Sequence, residues 1–206
     1  FFEGGFDKNL SYLLWCDKTL QTVIVDPAVE SNRIIEYIHN NNLILSKIII
    51  THTHYDHIKY LNDFVFLYPE IEICCHKKSK KIFSENNNRA LSNQETISIG
   101  EILIIALYTP GHYHDSICYW IKNDNILFTG DTLFVGRPGR TISSTSNINH
   151  LYNSIYKTIF SLPEETYILP GHHYGYKRSI SIKENISLSN FFQCKNFSEF
   201  VKIMKQ

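Results

Sequence analysis

The stretch Thr51-His52-Thr53-His54-Tyr55-Asp56-His57 puts three histidines and one aspartate within six residues. Neutral imidazoles and ionised carboxylates are ligands for zinc, iron and other divalent cations. Four such side chains in one short loop are too many for chance and, alone, too few for a closed site. A division between two metals fits them better, with imidazoles for zinc or iron and a carboxylate alongside. The plain alternative, surface histidines in a polar loop, describes single residues well and this stretch poorly.

The elements that must position these donors are strands. The apolar run at 48–50 reads as a buried strand, so the donors stand where a strand gives way to a loop. The pattern recurs three times. Residues 101–108 read as a strand running into Thr109-Pro110-Gly111-His112, residues 126–128 run into Thr129-Gly130-Asp131-Thr132, and residues 166–169 run into Pro170-Gly171-His172-His173-Tyr174. His112 and His172 thus stand at strand ends, and Asp131 sits where a bridging carboxylate would. His114, two residues beyond His112, reads as a polar rim residue. His76 reads as an exposed strand-end residue, because no second donor accompanies it.

The rest of the chain alternates strands and helices. Strands are expected at 10–14 and 22–25 about a turn at Asp17-Lys18-Thr19, and Asp26-Pro27 ends the second. Asp26 could support the metal loop, but structural duty in a turn is the reading preferred for it. Residues 31–40 carry helical spacing, with Ile34, Ile35 and Ile38 on one side and Ser31 or Asn32 as cap. A helix over 58–68 stopped by Pro69, a strand at 72–75, a helix over 77–83 and a polar loop over 85–94 follow. Strands at 97–99 and 101–108 turn at Gly100, and another strand lies at 117–121. Residues 133–140 read as a shaped loop and 148–162 as a helix with Leu151, Ile155 and Ile159 buried. Short helices at 180–188 and 197–204 close a single α/β domain spanning 1–206, with a helical tail from about 180 to 206.

Composition narrows the classes of function. Hydrophobic residues make up 43 % of 206, enough for a packed core. Net charge is +0 without a long basic run, which argues against a nucleic-acid partner. No apolar run reaches membrane-spanning length. Five cysteines, an odd number without CxxC spacing, argue against a disulfide framework and for a reducing compartment such as the cytoplasm. The chain begins at Phe1 without Met, so organelle targeting by an upstream segment is compatible with it. Oligomeric state leaves no mark in the sequence. The runs Asn40-Asn41-Asn42 and Asn86-Asn87-Asn88 read as loop tips.

Residues 51–57 resemble the HxHxDH signature of the metallo-β-lactamase superfamily. With TPGH, FTGDTLFVG and LPGHHYG following in that order, the chain from the strand at 9–14 to Asn190 resembles its glyoxalase II (hydroxyacylglutathione hydrolase) branch. The resemblance implies an αββα sandwich with the site at one edge. It implies that His52, His54 and His112 hold one metal, that Asp56, His57 and His172 hold a second, and that Asp131 bridges them. Two divalent ions are expected, zinc first, with iron or manganese as alternatives. Such a pair lowers the pKa of water from about 15.7 towards about 7, which suits hydrolysis of a thioester to acid and thiol. Asp56 and Asp131 are the catalytic carboxylates in that they hold the metals and their water; neither is read as a general acid.

The partner implied is a small thioester, glutathione-linked in the parent branch. Tyr174 and Arg140 match substrate-binding positions, whereas Ile142 stands where an aromatic is expected. Glyoxalase II proper adds a C-terminal helical domain with cationic residues that grip glutathione, and only the tail at 180–206 stands in that place here, so weak glutathione affinity is expected. The tail and Gly139-Arg140-Thr141 are also similar to the persulfide dioxygenase branch, in which one iron would use His52, His112 and Asp131; there Ile142 replaces the usual Asp. Other branches cleave lactams, lactones or RNA, the last with basic surface that this chain lacks. A non-catalytic metal protein fits less well, because structural zinc sites are Cys-rich and closed.

Overall fold

The computed structural model describes residues 1–79 and 87–205. Within them, β1 (Phe2–Gly4), β2 (Asn9–Trp15), β3 (Gln21–Val25), β4 (Ile44–Ile49), β5 (Glu72–His76) and β6 (Asn88–Leu91) form one sheet in that order. β1, β2 and β3 are antiparallel, and β3 through β6 run parallel. The second sheet has the order β14-β13-β10-β9-β8-β7, from β7 (Thr96–Ile99), β8 (Ile102–Tyr108), β9 (Ile117–Ile121), β10 (Ile126–Gly130), β13 (Tyr167–Pro170) and β14 (Ile180–Ser181). Here only β10 and β13 pair in parallel. β11 (Leu133–Phe134) and β12 (Arg137–Pro138) make a separate small hairpin.

The central strands are apolar on both faces, and successive side chains point to opposite sides. Val23, Val25, Ile49 and Cys74 point into the layer between the sheets, where they meet Ile97, Ile104, Ala106, Tyr119 and Phe128. Their neighbours Ile24, Ile48, Ile50 and Ile73 point outward, under Ile34 and Ile38 of α1 (Ser31–Asn40) and Leu61 and Phe64 of α2 (Leu61–Leu67). On the far side Leu107, Cys118, Leu127 and Ile168 lie under Leu151 of α3 (Ile148–Asn153), Ile182 of α4 (Ile182–Leu188) and Phe200 of α5 (Phe197–Met204). Helix, sheet, sheet, helix is the αββα sandwich.

Several elements differ from expectation, each for a local reason. Residues 88–91, read as loop, form the edge strand β6; their polar composition hides a strand that β5 holds by parallel pairing. β1, not expected at all, is three residues long and pairs with β2. The helix expected over 58–68 begins only at Leu61, because a 3-10 turn at Tyr55–His57 shapes the chain before it. The segment 148–162 winds from α3 into a π turn at Ser154–Thr158 and a 3-10 turn at Ile159–Ser161. α1 is preceded by Glu30 without a side-chain cap; Ser31 instead bonds Asp63. Residues 77–79 are a turn, and the remainder of the helix expected over 77–83 lies outside the described residues. Residues 180–181 are strand, with α4 starting after them. His76 is buried rather than exposed, its ring stacked on Tyr108 at 3.9 Å between centroids.

The two sheets are tied together beneath the loop that follows β4. Buried Tyr119 of β9 donates its hydroxyl to the Ile50 carbonyl at 2.8 Å, and the Ile117 amide donates to the Thr51 carbonyl at 2.8 Å. Tyr119→Phe removes the cross-sheet donor without changing volume greatly and leaves a buried carbonyl short of a partner. It is expected to lower stability by about 1–2 kcal/mol, read as a lower urea midpoint at constant m-value. An unchanged midpoint would show that the sheets do not depend on this bond.

Candidate metal centre

The four strand-end segments converge. His52, His54, His112 and Asp131 form one group, and Asp56, His57 and His172 a second, with the ligand-type atoms of each group within 4.8 Å of one another. His52 Nε2 lies 2.9 Å from His54 Nδ1, which lies 3.1 Å from His112 Nε2. In the second group His57 Nε2 is 3.2 Å from His172 Nε2, which is 3.4 Å from Asp56 Oδ2. Asp131 adjoins both groups: Oδ1 is 3.2 Å from His57 Nε2, and Oδ2 is 3.5 Å from His112 Nε2 and 3.4 Å from His172 Nε2. His114 is not among these donors.

Hydrogen bonds from outside the cluster hold four of the donors in place. His57 Nδ1 donates to Asp26 Oδ2 at 2.8 Å, His112 Nδ1 to the Arg140 carbonyl at 2.8 Å, and His172 Nδ1 to the Asp7 carbonyl at 2.9 Å. Each bond leaves Nε2 as the lone-pair nitrogen facing the cluster. Asn9 Nδ2 donates to Asp56 Oδ2 at 2.8 Å. The loop backbone is clamped as well. Asp26 accepts from the Thr51 amide and hydroxyl at 2.7 and 2.6 Å, and buried Asp115 accepts the Thr53 hydroxyl at 2.6 Å. Asp26 therefore supports the loop directly, and its preferred reading as a plain turn residue is corrected. The sequence clue was its place at the end of β3, beside the end of β4. Asp115 was missed although it lies three residues past His112; Asn9 was missed because its partner is 47 positions away.

Electrostatics divide the histidines. Burial pushes His52 well below the ordinary 6.5 and His54 to about 4, and the nearby imidazoles of His57 and His112 respectively add to it. His112 is lowered too, chiefly by burial. For His57 and His172 burial acts downward, yet the carboxylates beside them together outweigh it, Asp131 with Asp26 at His57 and Asp131 with Asp56 at His172: His57 rises well above 6.5 and His172 to about 9. Burial would raise Asp131, but the charges of His57 and His172 hold it well below the carboxylate range. Burial would likewise raise Asp56, but bonds from His172 and Asn9, with the His57 charge, hold it low.

This donor set fits metal. Ring nitrogens that converge at 2.9–3.2 Å suit a cation between them. Donors around a tetrahedral ion with bonds of about 2.0–2.1 Å lie about 3.3 Å apart. Asp131 Oδ1 is buried and has no hydrogen-bond partner. A Cβ on Gly171 would come within 2.5 Å of both Asp131 Oδ1 and His57 Cε1, so only glycine lets β13 approach the centre this closely.

The metallo-beta-lactamase superfamily profile matches residues 4–172. The chain belongs to this superfamily. Among sequence relatives, the probable hydroxyacylglutathione hydrolase glo2 of Schizosaccharomyces pombe is 33% identical over 82% of this chain and 66% of its own length. The chain thus spans about two thirds of that relative. A hydroxyacylglutathione hydrolase of Dictyostelium discoideum is 31% identical over 91% of this chain and 73% of its own. The crystal structure of ETHE1 from Myxococcus xanthus matches with a TM-score of 0.85 at 29% identity, covering 96% of this chain and 85% of that one. The superfamily fold, the His/Asp cluster and its suitability for divalent cations agree with the sequence reading.

The cluster opens into a cleft of about 440 Å³, lined also by Phe6, Asp7, Arg140, Ile142, Ser143 and Tyr174. Arg140 and Tyr174, the expected substrate-binding residues, both reach it. Arg140 and Ile142 also border a neighbouring cavity of about 620 Å³ beside Phe191 and Met204. Among the described residues no helix is long and apolar enough to cross a membrane.

Two measurements test the centre. Asp131→Ala should lose metal and reduce activity by orders of magnitude, whereas His114→Ala should keep its metal content by elemental analysis; metal loss in His114→Ala would make His114 a ligand of the centre. Chelator-treated protein should also carry a pH signature. His172, raised from 6.5 to about 9, contributes stability that is fully present below about 6.5 and lost as pH rises through about 9. The Tm of metal-free protein is expected to fall across that window, and His172→Asn to flatten the fall; parallel curves would refute the pairing of His172 with Asp131 and Asp56.

Proposed function

We propose that the chain is a two-metal hydrolase of thioesters, similar to glyoxalase II, that converts an S-acyl thiol to acid and free thiol. The observation that carries this reading is the place of Asp131, one carboxylate against donors of both groups, within 3.2 Å of His57 and 3.5 Å of His112. In this reading His52, His54 and His112 hold one ion, Asp56, His57 and His172 the other, and Asp131 both, with zinc the first expectation and iron or manganese the alternatives. When bound, two such cations polarise a carbonyl and bring the pKa of water from about 15.7 towards about 7.

The chain's own residues supply position and charge. Three imidazoles kept neutral by burial donate lone pairs without first losing a proton. Asp56 and Asp131 stay ionised beside His57 and His172 and offset the cationic charge of the centre. Arg140 and Tyr174 orient the thiol carrier, and exposed Ile142 lets the carrier pass where an aromatic would narrow the mouth. The hydroxyacylglutathione hydrolase names among the relatives support a thioester as substrate.

A second reading is a persulfide dioxygenase with one iron on His52, His112 and Asp131. It is favoured by the first group, whose donors cluster without any from the second. Thiol release and oxygen uptake, measured on one preparation with S-lactoylglutathione and glutathione persulfide offered separately, decide between them. The expected result is thiol release at equal rates in air and under argon, without oxygen uptake. Oxygen uptake with the persulfide and no thiol release from any thioester would overturn the hydrolase.

A further inference from the structure

Two charged residues of the cleft, Asp7 and Arg140, make no ion pair among the described residues. The turn between β1 and β2 brings Phe6 and Asp7 to the mouth, and the segment after β12 brings Arg140. Asp7 is fixed relative to the metal donors, because its carbonyl accepts from His172 Nδ1 at 2.9 Å. Its Oδ2 accepts the Tyr174 hydroxyl at 2.5 Å. Among the described residues, the ion pairs made by lysine and arginine are Lys18–Glu101, Lys47–Glu72, Arg89–Glu95, Arg178–Glu3 and Lys183–Glu164. Neither Asp7 nor Arg140 is among them. Arg137 has its guanidinium 5.7 Å from the Tyr174 ring centroid, but it lines the neighbouring cavity and not this cleft.

We infer that Asp7 is a specificity-determining residue that selects thioesters whose thiol carrier bears a free ammonium group, while Arg140 takes a carboxylate of the same carrier. This rests on reading the cleft as the thioester site. A carboxylate has about four acceptor positions, and the Tyr174 phenol occupies one. An ammonium brings three donors and the opposite charge, and such charge-assisted bonds are about twice as strong as neutral ones. Arg140 offers a planar fork that matches a carboxylate. A zwitterionic, amino-acid-derived thiol satisfies both residues. A phosphorylated carrier without an ammonium satisfies Arg140 and is repelled by Asp7, and an apolar carrier leaves both charges unpaired.

The test is binding, read by calorimetry on zinc-loaded full-length chain. The probes are S-methylglutathione, whose methylated sulfur cannot bind the metal as a thiolate, and its N-acetyl derivative, in which an acetamide replaces the ammonium. The wild type should bind the free-amine form roughly tenfold tighter. Asp7→Asn should bring the ratio to about one, and Asp7→Glu should restore most of it. A ratio near one in the wild type, a ratio that survives Asp7→Asn, or no binding of either probe overturns the inference. Neither probe has a scissile carbonyl, so failure to hydrolyse any thioester would count against the hydrolase reading, while the affinity ratio judges Asp7 separately.

Discussion

Everything else in this molecule answers to one constraint: lone pairs and carboxylate oxygens point at one another in a place largely closed to water. Unpaired, such groups cost several kilocalories per mole each in desolvation, and a cation at their centre removes the conflict. Their orientation is held from outside. Asp26 behind His57, the Arg140 carbonyl behind His112 and the Asp7 carbonyl behind His172 each use the ring's outer nitrogen, so that the inner one faces the cluster, and Asn9 steadies Asp56 through a bond to its Oδ2. Outer partners of this kind are worth about 10–100-fold in metal affinity. The donors are therefore inseparable from a second ring of partners, drawn from three other segments at 7–9, 26 and 140.

The sandwich makes that second ring attainable. Strand ends from both sheets meet at one edge, and the sheets are locked there by Tyr119 to Ile50 and Ile117 to Thr51. Close approach completes the lock. Gly130 adopts φ +48, and a Cβ there would press within 2.6 Å of Thr51, the residue that Asp26 grips. Packing between the sheets and orientation of the ligands are thus one problem: a shift of β10 against β4 would move Asp131 relative to His52.

The parts legible in the sequence are those written locally. Strands with apolar residues on both faces announce themselves as runs, and β3, β4, β8, β9 and β10 were all foreseen on that ground. The donors were legible because each follows such a run within a few residues. What was not legible depends on partners far away. Asp26 is one acid at a strand end until Thr51 and His57 arrive beside it, 25 and 31 positions on. His76 carries no sign that Tyr108 will cover its ring. β6 has the composition of a loop and becomes a strand only because β5 offers it backbone partners.

The same separation bears on function. The metal donors sit at the ends of core strands, where any change disturbs two sheets at once. Phe6, Asp7, Arg140, Ile142 and Tyr174 sit in loops around the cleft, where substitution leaves the core untouched. The centre sets what class of bond can be attacked, and the rim sets which molecule presents it. A chain can therefore share its centre and its fold with relatives of different names, since likeness in the sheets constrains the rim very little. In this chain the rim departs from the glyoxalase II pattern at Ile142 and holds an acid at Asp7. Its substrate must then be argued from the charges it presents rather than from the metals beneath them.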